Sequence, residues 1–209
     1  GVGVISSAQI GFCAPDFAEH PIETNLRVLK EEIKKAKEIA KGGIIGVNIM
    51  VVTQRYKEYV KAAVHAGADL IISGAGLPTN LPELVEGTKT KIAPIVSTIK
   101  ATSVICKMWD RKYKKIPDLV VVEGPKAGGH LGFHEDEIKQ YTMDKYEKEI
   151  QGIFEIIKEY SQKYSKKIPV VLAGGIFDPI YVNRISDYAV LKYRRRFLRS
   201  KAASGEYSL

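Results

Sequence analysis

The residues best able to do chemistry in this chain cluster in Glu123-Gly-Pro-Lys-Ala-Gly-Gly-His-Leu-Gly-Phe133. His130 is the side chain suited to proton transfer near neutral pH. Gly128 and Gly129 beside it let a backbone turn tightly and approach a ligand with no Cβ in the way. Glu123 adds a carboxyl group at the start of the stretch. Other polar or glycine positions follow apolar runs: Asn48, Ser73-Gly74, Ser97 and Gly174-Gly175. Such a set suits proton transfer beside a ligand held by backbone amides and hydrogen bonds. His130 and His134 lie four apart, but a metal pair at that spacing needs a helix, and Gly128, Gly129 and Gly132 oppose one. No metal site is therefore expected.

Each of these positions ends a short apolar strand candidate. The runs are 2–6, 44–50, 69–73, 93–97, 118–122 and 168–173, the fifth bounded by Pro117 and Gly124. Between them lie helical patterns over 23–41, 54–66, 81–86, 99–109 and 143–164. The first carries Leu26, Leu29, Ile33, Ala36 and Ile39 as its apolar stripe. Regular strand–helix alternation means parallel strands with right-handed crossovers. The result is a doubly wound sheet or a (β/α)8 barrel. Polar groups recurring at nearly every strand end favour the barrel, because a doubly wound sheet gathers its ligand groups at one switch point. No Gly-x-Gly-x-x-Gly fingerprint follows the first strand, which points the same way.

Four motifs in order, Gly46-Val-Asn-Ile-Met50, Ile72-Ser-Gly-Ala-Gly-Leu-Pro78, Glu123 to Gly132, and Ala173-Gly-Gly-Ile176, resemble the nitronate monooxygenase (2-nitropropane dioxygenase-like) family. Flavin-dependent enoyl-acyl-carrier-protein reductases belong to the same superfamily. The resemblance implies a TIM barrel over residues 1–178 holding FMN at its C-terminal mouth. His130 then looks like the catalytic histidine beside the flavin. Asn48 resembles a flavin-contacting asparagine, and Glu123 an acid near the ribityl chain. Gly128 and Gly129 would let the backbone pass the cofactor, and Gly174 and Gly175 would receive its phosphate. The activity implied is oxidation of alkyl nitronates by molecular oxygen. The alternative on the same barrel is NAD(P)H-dependent reduction of an enoyl thioester.

The likeness fades from about Pro179, and the six strand candidates correspond to strands two to seven of eight. Residues 179–209 form a divergent basic tail, and the lack of an initiator methionine reads as a chain cut ahead of Gly1. An open barrel of this kind is expected to hold FMN weakly or not at all, and a non-catalytic fragment is the reading from a different class. Net charge is +8, but residues 190–201 contribute six of those charges, leaving +2 elsewhere. That distribution argues against a nucleic-acid-binding fold, leaving the tail alone as a basic module. Hydrophobic content of 45% with 27% charged residues fits a globular protein without a membrane span. Two cysteines, Cys13 and Cys106, in no metal or redox spacing suit a cytoplasmic setting and read as packing residues. The substrate would be a small molecule, with a homo-oligomer possible.

Overall fold

The structure is a computed structural model that describes residues 1–125, 127 and 142–174. Six strands alternate with helices: β1 (Val2–Ser6), α1 (Pro21–Ala40), β2 (Ile44–Met50), α2 (Tyr56–His65), β3 (Leu70–Gly74), α3 (Leu81–Leu84), β4 (Lys91–Val96), α4 (Ile99–Tyr113), β5 (Val120–Glu123), α5 (Met143–Lys163) and β6 (Val170–Ala173). The strands pair in chain order, every pair parallel. This is a curled arc of a TIM-type α/β barrel, the alternative favoured by the polar groups at successive strand ends and implied by the family resemblance. The tail expected over 179–209 lies outside the described residues, as do Gly128, Gly129, His130, His134 and Gly175.

Strand side chains alternate between two apolar layers. Val47, Ile49, Ile71, Ile92, Val96, Val120, Val122, Val170 and Leu172 face the helices, where they meet Leu29, Ile33, Val60, Ile105, Trp109, Ile150 and Ile153. Leu70, Ile72, Ala93 and Val121 form a smaller inward layer with Ile95, Leu119 and Ala173. At the edges of the described sheet the inward positions Val2, Val4 and Val171 are exposed, since the arc leaves them without a facing neighbour.

Helix α1 begins at Pro21 rather than two residues later, because proline's fixed φ and missing N–H suit a first helical position. Its stripe buries Leu29 and Ile33, but Ile39 is 72% exposed. Six residues past Ile33, Ile39 lies about 240° around the helix and leaves the stripe. The cysteines divide. Cys106 is fully buried, and burial pushes its thiol up to about 12, which leaves it an unreactive packing group. Cys13, expected to pack, is exposed in the β1–α1 connection.

The bottom of the sheet carries a device used twice. Asp69, just before β3, accepts the Ile45 amide at 2.8 Å and pairs with Lys37 of α1 at 2.8 Å. Asp118, just before β5, accepts the Ile92 amide at 3.0 Å and pairs with Lys166 at 2.7 Å. Each aspartate thus fixes the register of its strand against the preceding one and anchors a flanking segment. Burial works against ionisation of Asp69, but the Ile45 amide and Lys37 outweigh it and hold the carboxyl below its ordinary value. The sign follows: a depressed native pKa stabilises above the unfolded value, and that contribution disappears as pH falls below about 4. Asp69→Asn is therefore expected to lower the urea midpoint at pH 7, by a margin that closes at about pH 3. An equal deficit at both pH values would contradict this role.

Candidate functional site

Register decides which strand-end groups share a space. Asn48 pairs across to Ser6 on one side and Ile72 on the other. It lies on the inward face with Gly74, Ser97 and Glu123, by alternation from Ile72, Ile95 and Val121. Ser73, one residue from Gly74, points the other way. It is fully buried and shares a 2.9 Å hydrogen bond with Tyr56 Oη of α2. Ser73 thus belongs to the helix-facing layer, although its place at a strand end had grouped it with the others. Burial also pushes the Tyr56 hydroxyl up to about 12, so this pair stays neutral.

At the C-terminal mouth, a cavity of about 460 Å³ is lined by Ala75, Gly76, Ile95, Ser97, Thr98 and Glu123, among others. Its walls are mostly aliphatic, with a hydroxyl from buried Ser97 and the Glu123 carboxyl as polar groups. Ala75 sits at φ +51, a left-handed conformation unusual for a residue with a Cβ. It lines this cavity, and such strain is common beside functional sites. Asn48 is half-buried and its Nδ2 donates to the Ile72 carbonyl at 3.4 Å. That bond is long and orients the amide only weakly, and Asn48 is not among the residues that line this cavity. A larger cavity of about 1070 Å³ opens at the opposite end, among the strand starts and the Asp69 and Asp118 clamps. In barrels of this type chemistry sits at strand C-termini, so the larger space is not the candidate site.

Glu123 is half-buried, and desolvation raises its carboxyl above the usual range. A raised native pKa is a stability deficit that appears as pH rises through it. Replacing Glu123 by glutamine removes the charge while keeping the shape. It is expected to raise the thermal midpoint by about 1–3 °C at pH 7 and by nothing near pH 4. A gain independent of pH would show that the carboxyl is not desolvated.

The loop leaving β5 is fixed at its start. Gly124 N–H donates to the Ala173 carbonyl at 3.0 Å, and Ala127 N–H donates to the Gly124 carbonyl at 3.0 Å. The turn is thereby laid against the end of β6, where Gly174 adopts φ +88. A Cβ on Gly174 would come within 2.4 Å of Ala127 Cβ. One on Gly124 would meet Tyr146 Oη at 2.6 Å. Two strand ends expected to carry separate functions are therefore packed directly together.

Sequence reasoning missed what holds the mouth's helix. Glu149 of α5 accepts the Ile99 amide at 2.6 Å, and Thr98 Oγ1 accepts the Ala101 amide at 3.1 Å. These cap α4, whose first residues border the cavity. The Thr98 cap was readable as a threonine three residues ahead of that amide. Glu149 is 50 positions from its partner, and no local pattern marks it.

A curled parallel arc with an aliphatic cavity and hydrogen-bonding groups at its strand C-termini defines a barrel of the ligand-binding α/β class. The nitronate monooxygenase family model matches residues 13–185, and the chain belongs to that family. No curated protein matches it by sequence. Among solved structures, it is similar to a nitroalkane oxidase from Streptomyces ansochromogenes, with 15% identity and a TM-score of 0.57 over 90% of this chain and 55% of that one. It is also similar to FabK from Thermotoga maritima, with 24% identity and a TM-score of 0.50 over 77% of this chain and 44% of that one. At these identities the likeness is one of fold. The chain spans about half the length of these structures.

Proposed function

We propose that this chain is an FMN-dependent oxidoreductase that oxidises alkyl nitronates with molecular oxygen. The observation that carries the reading is the mouth cavity with Ser97 and Glu123 on its wall, in a chain whose family match spans residues 13–185. The groups present suit a flavin. Aliphatic walls match the faces of a flat heteroaromatic ring, while the Ser97 hydroxyl and the Glu123 carboxyl match its hydrogen-bonding edge.

In this reading Asn48 and Glu123 hold the ring and ribityl chain, and backbone amides at Gly174 and Gly175 hold the phosphate. Gly128 and Gly129 allow close backbone approach, and His130 moves a proton on the nitro-compound. The flavin, when bound, supplies the electron transfer between the nitronate and oxygen. The raised Glu123 carboxyl fits a group retained for binding at a cost to stability. No described helix is long and apolar enough to cross a membrane, and a small-molecule substrate in the cytoplasm is the simplest setting.

The test is oxygen consumption with ethyl nitronate by the FMN-supplemented chain, without nicotinamide. Consumption that falls about 100-fold or more in His130→Ala supports the reading. Reduction of an enoyl thioester at the expense of NAD(P)H, with no nitronate-dependent oxygen uptake, would replace it by the alternative chemistry. Inactivity in both assays at saturating FMN would favour a non-catalytic chain.

A further inference from the structure

Helix α4 differs from the other long helices in the charge it shows to solvent. Helices α1 and α5 intersperse acids with bases along their exposed faces, and the one acid of α2, Glu58, is exposed and paired with Arg55. Helix α4 carries Lys100, Lys107, Arg111 and Lys112 and a single acid, Asp110. Asp110 is turned inward, 9% exposed, bonded by Lys163 of α5 at 2.5 Å and by the Tyr164 hydroxyl. Among the described residues Lys100, Lys107 and Arg111 make no ion pair, while Lys112 lies over the Tyr113 ring at 4.9 Å. Interleaved with these cations are Val104 and Met108, 37% and 36% exposed. Residues 100, 104, 107, 108 and 111 recur at helical spacing and form one stripe. Val104, Lys107, Met108, Arg111 and Lys112 enclose a shallow notch of about 380 Å³.

Helix stability explains only part of this. Arg111 and Lys112 in the last turn suit the negative end of the helix. Lys100, in the first turn, faces the positive end, where a cation is disfavoured. An apolar notch ringed by cations, of which Lys107 and Arg111 make no ion pair among the described residues, is the complement of an acidic surface with an apolar knob at its centre.

We propose that the outer face of α4 is a docking surface for an acidic protein segment, one that sets an aliphatic side chain into the Val104–Met108 notch and carboxylates against Lys100, Lys107 and Arg111. The concavity favours a protein knob over a bilayer. A membrane-seeking face presents a broad, protruding apolar surface, often with aromatics, and this face has two aliphatic side chains around a depression. A nucleic-acid backbone would use the cations and leave the notch empty. Thr98 and Ala101, at the start of the same helix, line the mouth cavity, so a partner on the stripe would lie beside the mouth.

The test uses the full chain and a fluorescein-labelled peptide with glutamates flanking a central leucine, followed by anisotropy. Binding is expected to weaken about tenfold or more in Lys107→Glu/Arg111→Glu and about threefold in Met108→Ser. It should weaken comparably when salt rises from about 50 to about 300 mM. Lys30→Glu/Lys34→Glu, exposed lysines on α1, is the control for net charge and is expected to leave binding unchanged. Equal losses from both charge-reversed pairs would overturn the proposal, as would tighter binding to phosphatidylglycerol vesicles or duplex DNA than to the peptide.

Discussion

Trp109→Ala is expected to cost about 3–5 kcal/mol of folding stability, the range for emptying a fully buried indole site. Trp109 is 0% exposed and sits in the layer between sheet and helices. Its Nε1 also donates to the Pro78 carbonyl at 3.1 Å, which ties α4 to the connection after β3. That connection supplies Ala75, Gly76 and Leu77 to the mouth cavity. The substitution should therefore loosen the site as well as the core. Trp109→Phe keeps most of the volume, loses the hydrogen bond, and is expected to cost about 1–3 kcal/mol, since the Pro78 carbonyl is left without its donor. Urea unfolding measures both. A loss below about 1 kcal/mol for alanine would mean that the indole is not the keystone of this layer.

Gly174→Ala should act more locally and hit function harder. The φ of +88 is strained for any L side chain, and the added methyl would collide with Ala127 at 2.4 Å. Strain and overpacking together are expected to cost about 2–4 kcal/mol, relieved in part by displacement of the turn from Gly124 to Ala127. Gly42→Ala is the matched control, because Gly42 has a similar φ of +91 and nothing within 4 Å of the added atom. The excess of the first cost over the second isolates the collision. Displacing this turn moves the segment that leads directly into Gly128, Gly129 and His130. Gly174→Ala is accordingly expected to weaken FMN binding about tenfold or more while leaving a cooperative unfolding transition. A variant with unchanged affinity would separate the β6 end from the cofactor site.

Some of this was legible in the residues and some could not be. Strand β2 was read at its true limits: Gly42-Gly43 mark its start, although the apolar run itself continues through Val51-Val52 beyond the strand's end. Among the apolar residues of the 143–164 helix, Ile150, Ile153 and Ile157 are buried while Phe154 and Ile156 are half-buried, as helical spacing spreads them over more than one face. Which way a strand-end side chain points depends on register, and register is tertiary. Ser73 and Ser97 look alike as serines at strand ends, yet one bonds Tyr56 behind the sheet and the other lines the mouth. The two aspartate clamps did leave a trace, since Asp69-Leu-Ile-Ile and Asp118-Leu-Val-Val open alternate strands in the same way. Recognising that repeat would have placed the carboxylates at the bottom of the sheet, away from the chemistry. The pairing of Asp110 with Lys163 and Tyr164 at the end of α5, like the Glu149 cap from its first half, ties α4 to that helix across some 50 residues and carries no local pattern.

The central claim is that the strand C-termini form a flavin site, and an FMN titration of the purified chain followed by quenching of flavin fluorescence tests it most directly. The account predicts saturable, weak binding with Kd in the range of about 10–100 μM. Gly174→Ala and Asn48→Ala should each weaken it, while Asp69→Asn, at the other end of the sheet, should leave it unchanged. Fluorescence that stays constant as FMN is added, or binding indifferent to both mouth substitutions, would contradict it.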